Sequence, residues 1–357
     1  MSGACCLVGS RSQASVAPGV PPCGRVMVEG MPTFTLGRFT VHRIGFGAMQ
    51  LPGPGVIGPP RDRDEAIAVL RRAIELGVDH IDTAQYYGPD VSNELIGDAL
   101  YPYPENLVLV SKVGALRDER GGWIPGQRPE QLRSGVEDNL RSLGVDRLGA
   151  VNLRLMDRPA GLAADQQVPL ENQLAEMVAL RDEGKIAGIG ISTANRAQVE
   201  QAIAQAGIVC VQNAFSLVDQ MDADVLDLCS ERGIAYTPFF PLGSALPHSP
   251  KVTDNAAVQA AAQRLGATPA QVGLAWLLAH RDNILLIPGT SRVAHLDRTS
   301  PPARSPSRSR TSPNSRLLSR EALCPTGIGL ASPRGALLGA PSAFGSARPV
   351  VECLRGR

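Results

Sequence analysis

The sequence predicts an α/β protein: a closed (β/α)8 barrel of the TIM type, preceded by a β-hairpin. Two observations carry this. Short apolar stretches alternate with amphipathic helical ones eight times, and most of the apolar stretches are too hydrophobic to be wet on either face, as in a parallel sheet covered by helices. The units together fill ~250 residues, the size of one such barrel. A doubly wound open sheet shares the rhythm. It is weakened by Gly45-Phe46-Gly47-Ala48-Met49-Gln50, which lacks the third glycine of a dinucleotide fingerprint.

Residues 1–31 are small, polar and Pro/Gly/Ser-rich, and read as a disordered leader. Met27 and Met31 are candidate starts of the folded protein. Between 33 and 43, Phe34, Leu36, Phe39 and Val41 alternate around Gly37-Arg38, a short hairpin. Strands are expected at 43–49, 78–84, 107–113, 148–155, 186–192, 208–215, 234–240 and 284–287. Helices are expected at 64–76, 91–100, 129–143, 169–183, 194–206, 223–232, 256–265 and 269–280. The helix at 129–143 puts Leu132, Val136, Leu140 and Leu143 on one face. Thr268 caps the one at 269–280, with Pro269 at its first position.

The barrel domain spans 32–298, and the frame stops there. Residues 299–357 hold nine arginines, no lysine, and only Glu321 and Glu352 as acids. The start of this tail, rich in Ser-Pro and Arg-Ser, cannot make a regular helix. A barrel needs a helix after its eighth strand, so we expect the last helix to be replaced by a disordered tail, native or created by a change of reading frame. Translating the gene in its other two frames tests the second origin. Loss of that helix would bare the outer face of strand eight and impair cofactor binding, giving a non-enzymatic barrel as the competing reading.

Net charge is +1, so nothing global points to nucleic acid or an anionic membrane. The Arg-rich tail alone suits non-specific nucleic-acid binding, but it lacks interleaved aromatics. No apolar run approaches the ~20 residues of a membrane span, and no signal peptide is evident. Five of the seven cysteines lie in the flanks, without CxxC spacing, and Cys210 and Cys229 lie in the middle. The five histidines show no metal-ligand spacing. A cytoplasmic, monomeric protein without a metal is expected.

Function in such a barrel gathers at the C-terminal ends of the strands. Asp82 lies near the end of strand two, Tyr87 in the loop behind it, and Lys112 ends strand three. Only three lysines occur, Lys112, Lys185 and Lys251, so one at a strand end stands out. A buried lysine is costly unless paired, and Asp82 is the natural partner. An ammonium near Tyr87 would lower the phenol's pKa toward a useful range. Such a phenol can protonate a carbonyl oxygen that receives hydride. A plain barrel salt bridge and a packing tyrosine account for the same residues, and a Schiff-base aldolase using Lys112 is a further reading.

Asp82-Thr83-Ala84-x-x-Tyr87-Gly88, Val110-Ser111-Lys112, Gly188-Ile189-Gly190-Ile191-Ser192, Val211-Gln212-Asn213 and Ile287-Pro288-Gly289-Thr290-Ser291 resemble the aldo-keto reductases. Similarity runs from about Phe34 to about Leu296. Gln50-Leu51-Pro52-Gly53-Pro54-Gly55 and Pro238-Phe239-Phe240-Pro241-Leu242-Gly243 resemble a bacterial subgroup that includes pyridoxal reductases. The resemblance implies reduction of a small aldehyde or ketone with NADPH, NADH being the alternative, and a tetrad of Asp, Tyr, Lys and His. Asp82, Tyr87 and Lys112 match three members. Arg154 stands in the place of the histidine; it cannot relay a proton, but it can donate hydrogen bonds to a carbonyl oxygen or an anion. Pairing with Asp157 or another acid is its structural alternative.

By the same resemblance Ser192 and Gln212 hold the nicotinamide carboxamide. Phe239 stacks on the ring, and Pro241 and Leu242 follow it along the cofactor. Thr193 replaces a common asparagine, and Asn213 has a structural alternative. Gly289, Thr290, Ser291 and Arg292 would meet the adenosine 2′-phosphate. The family's adenine clasp is interrupted within His295-Leu296-Asp297-Arg298-Thr299-Ser300. Trp123 lines the pocket or caps the barrel.

Overall fold

The computed structural model describes residues 31–156, 167–243 and 249–299. The hairpin β1 (Thr33–Leu36) and β2 (Phe39–His42) comes first, as expected. Then follow β3 (Phe46–Gly47), α1 (Arg63–Glu75), β4 (His80–Asp82), α2 (Val91–Leu100), β5 (Val108–Val113), β6 (Ala115–Arg117), β7 (Trp123–Pro125), α3 (Pro129–Leu143), β8 (Ala150–Arg154) and α4 (Leu170–Asp182). The second half holds β9 (Ile189–Ser192), α5 (Arg196–Ala206), β10 (Cys210–Gln212), α6 (Ala223–Arg232), β11 (Ala235–Tyr236), α7 (Ala256–Leu265), α8 (Pro269–His280) and α9 (Val293–Thr299).

The central sheet runs β11-β10-β9-β8-β5-β4-β3, every pair parallel. Residues 284–287 close it: Ile284 bridges Tyr236 and Leu286 bridges Ile44, both parallel. The eighth strand therefore exists as one bridge on each side. Two glycines allow the seam to close. A Cβ on Gly47 would lie 2.5 Å from the Ile287 carbonyl oxygen, and one on Gly289 would lie 2.2 Å from that of Gly47. Neighbouring helices from α1 to α5 pack in order around the outside, and α9 packs on α1.

Five helices keep their expected bounds, and end signals fix four of them. Gly144, Gly233 and Gly266 end α3, α6 and α7 in the left-handed conformation, and the Thr268 hydroxyl accepts from Gln271 N–H at α8. Strands are shorter than expected, because apolarity continues into loops that no longer pair. The β6–β7 hairpin was not anticipated.

Strand parity sorts the core. Ile81, Leu109, Val151, Leu153, Ile189, Ile191, Val211 and Tyr236 point outward into the layer beneath the helices. Val108, Val110, Ala150, Cys210, Ala235 and Leu285 fill the interior, plugged from below by Leu36 and Val41 of the hairpin. Cys210 and Cys229 are free and buried.

The region after strand eight departs from expectation. The last helix was expected to be replaced by a disordered tail, yet Val293–Thr299 form α9 after strand eight. The outer face of strand eight was expected to lie bare, yet Ile284 and Leu286 are fully buried and share a cluster with Leu296 of α9. The leader, and the tail from residue 300, lie outside the described residues. No helix among the described residues is long and apolar enough to cross a membrane.

Candidate active site

The alternation that fills the interior continues to the mouth. Val108 and Val110 point inward, so Lys112 does too; His80 is followed by Asp82, Ala150 and Asn152 by Arg154, Gly190 by Ser192, and Cys210 by Gln212. Parity thus delivers five of the expected site residues to one rim.

Lys112 and Asp82 are each 3% exposed and form an ion pair. The Lys112 ammonium also donates to the Thr83 carbonyl at 2.9 Å. The second Asp82 oxygen accepts from Gln212 Nε2 at 2.9 Å, from across the barrel. Both charges are therefore satisfied, which burial demands. An ammonium so committed is poorly suited to a Schiff base.

Tyr87 follows in the turn after β4, its N–H donating to the Ala84 carbonyl at 3.0 Å. Gly88 is needed there: its φ is +108°, and a Cβ would strike Val91 at 2.3 Å. The Lys112 nitrogen sits 4.9 Å from the Tyr87 ring centroid, over the face. The expected lowering of the phenol's pKa is corrected. Burial first, and then Asp82, push Tyr87 well above the ordinary tyrosine value, opposed by Arg154 and Arg117. Lys112 is paired with Asp82, whose own charge adds to burial at the phenol. Tyr87 is held protonated, the state a proton donor requires.

The β6–β7 hairpin brings in Arg117, which the sequence did not mark, beside Trp123, which was expected to line the pocket or cap the barrel. Arg117 donates to the carbonyls of Tyr86 (3.2 Å), Gly121 (2.8 Å), Gly55 (3.4 Å) and Val56 (3.1 Å). Its guanidinium lies 3.4 Å from the Trp123 ring centroid, and Trp123 meets Tyr86 edge-on at 5.2 Å. Tyr86 in turn meets Tyr87 edge-on at 5.5 Å. Trp123 is thus part of the rim, with 40% of its surface exposed. The available signal was Ala115-Leu116 and Trp123-Ile124 flanking Gly121-Gly122, a hairpin pattern.

Arg154 ends β8, half-buried, with its guanidinium 5.8 Å from the Trp123 ring centroid. Among the described residues it pairs with no acid. Asp157 lies outside them.

The cofactor-side residues divide into two groups. Ser192 and Gln212 are register partners on adjacent strands and both buried. Gln212 spends its amide N–H on Asp82, which leaves its carbonyl oxygen free to accept. Thr193 adopts φ +62°, its N–H donating to the Gln212 carbonyl at 3.1 Å. Asn213 ties both backbone groups of Ala194, at 3.1 and 2.7 Å, which is the structural role. Phe239 is half-buried and meets Phe240 edge-on at 5.2 Å. Leu242 packs with Val252 instead of standing free, and Pro241 is half-buried beside it.

The second group, Gly289 to Arg292, forms the turn after strand eight. Thr290 Oγ1 accepts from Arg292 N–H at 3.2 Å, and Ser291 and Arg292 are exposed. The next N–H, of Val293, is taken by the Glu65 carboxylate at 2.9 Å. The donor set therefore fits a nicotinamide at the rim. At the phosphate end it offers hydroxyls and one cation beside an acid.

A family model described as the aldo/keto reductase family matches residues 43–300. The chain belongs to this family. As an aldo/keto reductase it is an NAD(P)H-dependent oxidoreductase of carbonyl and alcohol groups. It is 49% identical over 265 residues to pyridoxine 4-dehydrogenase of Escherichia coli (strain K12), covering 74% of this chain and 90% of that protein. An uncharacterized oxidoreductase of Schizosaccharomyces pombe is 36% identical over 74% of this chain and 82% of its own length. Among solved structures, the thermostable aldo-keto reductase Tm1743 with the inhibitor epalrestat superposes with TM-score 0.62 at 29% identity, over 75% of this chain and 93% of that one. An aldo-keto reductase of Klebsiella pneumoniae in complex with NADPH gives 0.61 at 24%, over 76% and 88%, a likeness of fold.

Proposed function

We propose that this aldo/keto reductase reduces a pyridoxal-like aldehyde to the alcohol with NADPH, NADH being the alternative donor. One observation carries the reading: a protonated, buried Tyr87 stands over a lysine that Asp82 and Gln212 lock in place. The relative named pyridoxine 4-dehydrogenase supports the substrate class, since dehydrogenating that alcohol is aldehyde reduction in reverse.

A reduced nicotinamide held at the rim by Ser192 and Gln212 would supply the hydride for the carbonyl carbon. Tyr87 gives its hydroxyl proton to the carbonyl oxygen, so C=O becomes CH–OH. Arg154 and Arg117, whose charges pull the phenol down against burial, stabilise the phenolate left behind, while Lys112, paired with Asp82, lies over the ring. Arg154 donates hydrogen bonds toward the substrate. Ser192 and Gln212 hold the carboxamide, and Phe239 offers a flat face to the ring. Thr193, Pro241 and Leu242 shape the same wall. Gly289, Thr290, Ser291 and Arg292 face the adenosine phosphate, with Glu65 beside them favouring NADH more than the other residues do. The domain division at 31 and 298, the cytoplasm and a monomeric state belong to this proposal.

The test is loss of NADPH absorbance on adding pyridoxal, in wild type and Tyr87→Phe. Turnover by wild type, lost in the variant with NADPH affinity kept, is the expected result. Full activity of Tyr87→Phe would remove it from the acid role.

A further inference from the structure

Arg154 carries a charge that the described structure leaves uncompensated. It ends β8 on the inner face of the barrel and is half-buried. The buried acid at the rim, Asp82, has both oxygens committed, to Lys112 and to Gln212. Arg117 spends its N–H groups on four backbone carbonyls and serves as a strut. Asp118 turns Oδ1 back on the N–H groups of Arg120 and Gly122. Arg154 has no such tie: its guanidinium meets the Trp123 ring and no carboxylate among the described residues.

Lys112, Arg117 and Arg154 thus gather around Tyr87 with Asp82 as the buried counter-charge. A guanidinium stays charged at any working pH. Half-buried and without a carboxylate partner among the described residues, it is costly to bury, and its planar fork is suited to an anionic oxygen. Its charge is also felt at the Tyr87 phenol, which it pulls down against burial. Trp123 joins the two: its ring lies 5.8 Å from the Arg154 guanidinium and 5.2 Å from Tyr86, which meets Tyr87 at 5.5 Å, so one small molecule can reach both the proton donor and the cation.

We propose that Arg154 is a receptor for an anionic oxygen that the substrate carries next to its carbonyl group. The preferred substrates are then aldehydes or ketones such as ortho-hydroxyaryl aldehydes ionised to the phenolate. The carbonyl oxygen faces the Tyr87 hydroxyl while the neighbouring oxyanion lies in the Arg154 fork. This rests on the reductase reading for the orientation of the carbonyl; the anion site itself does not depend on it.

The test compares 2-formylbenzenesulfonate with 4-formylbenzenesulfonate, which have the same charge and differ in its distance from the carbonyl. With wild type, Arg154→Lys and Arg154→Met, kcat/KM is measured with NADPH, and binding by calorimetry with NADP present. The ortho-to-para ratio is expected to fall about tenfold or more from wild type to Arg154→Met, mainly through KM. Arg154→Lys, which keeps the charge and guards against a folding defect, should lie between. An equal ratio in all three proteins overturns the inference. Salicylaldehyde against benzaldehyde then separates a phenolate from other anions: a preference that grows as the phenol ionises supports it, and a flat profile overturns the phenolate assignment. Absent turnover with an Arg154-dependent ortho preference in binding would sink the reductase reading and leave the receptor standing.

Discussion

Asp79 precedes β4 and Asp82 ends it, and both are buried, at 7% and 3% exposure. At the lower end Asp79 accepts the His42 backbone N–H with both oxygens, at 3.1 and 3.0 Å, and meets the imidazoles of His42 and His80. At the upper end Asp82 meets a lysine and an amide. The lower acid latches the hairpin plug to the barrel through groups that need no fixed charge. The upper acid holds an ammonium beneath a phenol. One short strand thus shows that burial of a carboxylate does not itself mark a site; the kind of partner, and what that partner faces, does.

Four experiments bear on this contrast. Lys112→Met leaves Asp82 buried without a counter-charge, and should cost about 3–5 kcal/mol of stability by urea unfolding and abolish turnover. A milder loss would mean that the upper pair is no more demanding than the lower. Tyr87→Phe should lower kcat by about 10²–10⁴-fold while the urea midpoint stays near wild type. Asp79→Asn should cost about 1–3 kcal/mol through the weakened latch, with kcat unchanged; a matching fall in kcat would erase the division between the two ends.

The smallest effect expected is alkaline. Burial raises the phenols of Tyr86, Tyr87 and Tyr236 above their ordinary value. Stability from a raised pKa is present below the unfolded value, about 10, and is lost as pH rises through it, because unfolded phenols ionise while folded ones cannot. Urea midpoints at about pH 8 and about pH 11 should therefore diverge. The divergence should shrink in Tyr87→Phe.

Much of the fold was legible locally. The helices at Val91–Leu100, Pro129–Leu143, Ala223–Arg232, Ala256–Leu265 and Pro269–His280 keep their expected bounds, because caps and helix periodicity act within a few residues. Strand ends were less legible: 208–215 shrinks to Cys210–Gln212, since apolarity alone does not say where pairing stops. The hairpin carrying Arg117 and Trp123 was missed because its strands are three residues each. The bare strand eight was a misjudgement of cover. Val293–Thr299 is helical, and Leu296 seals part of it.

The sequence by itself determined which residues reach the rim. Alternation along Val108-Leu109-Val110-Ser111-Lys112, and its counterparts in four other strands, is a period of two that needs no tertiary information. Only the closed barrel decided what those residues become. Gln212 lies 130 positions from Asp82 and reaches it across the barrel. Burial first, and then Asp82, raise the Tyr87 phenol, where a nearby ammonium was expected to lower it. Arg117 turns away into four carbonyls, while Arg154 meets no carboxylate among the described residues. Parity is a property of one strand; desolvation and charge balance depend on every atom that closure brings near.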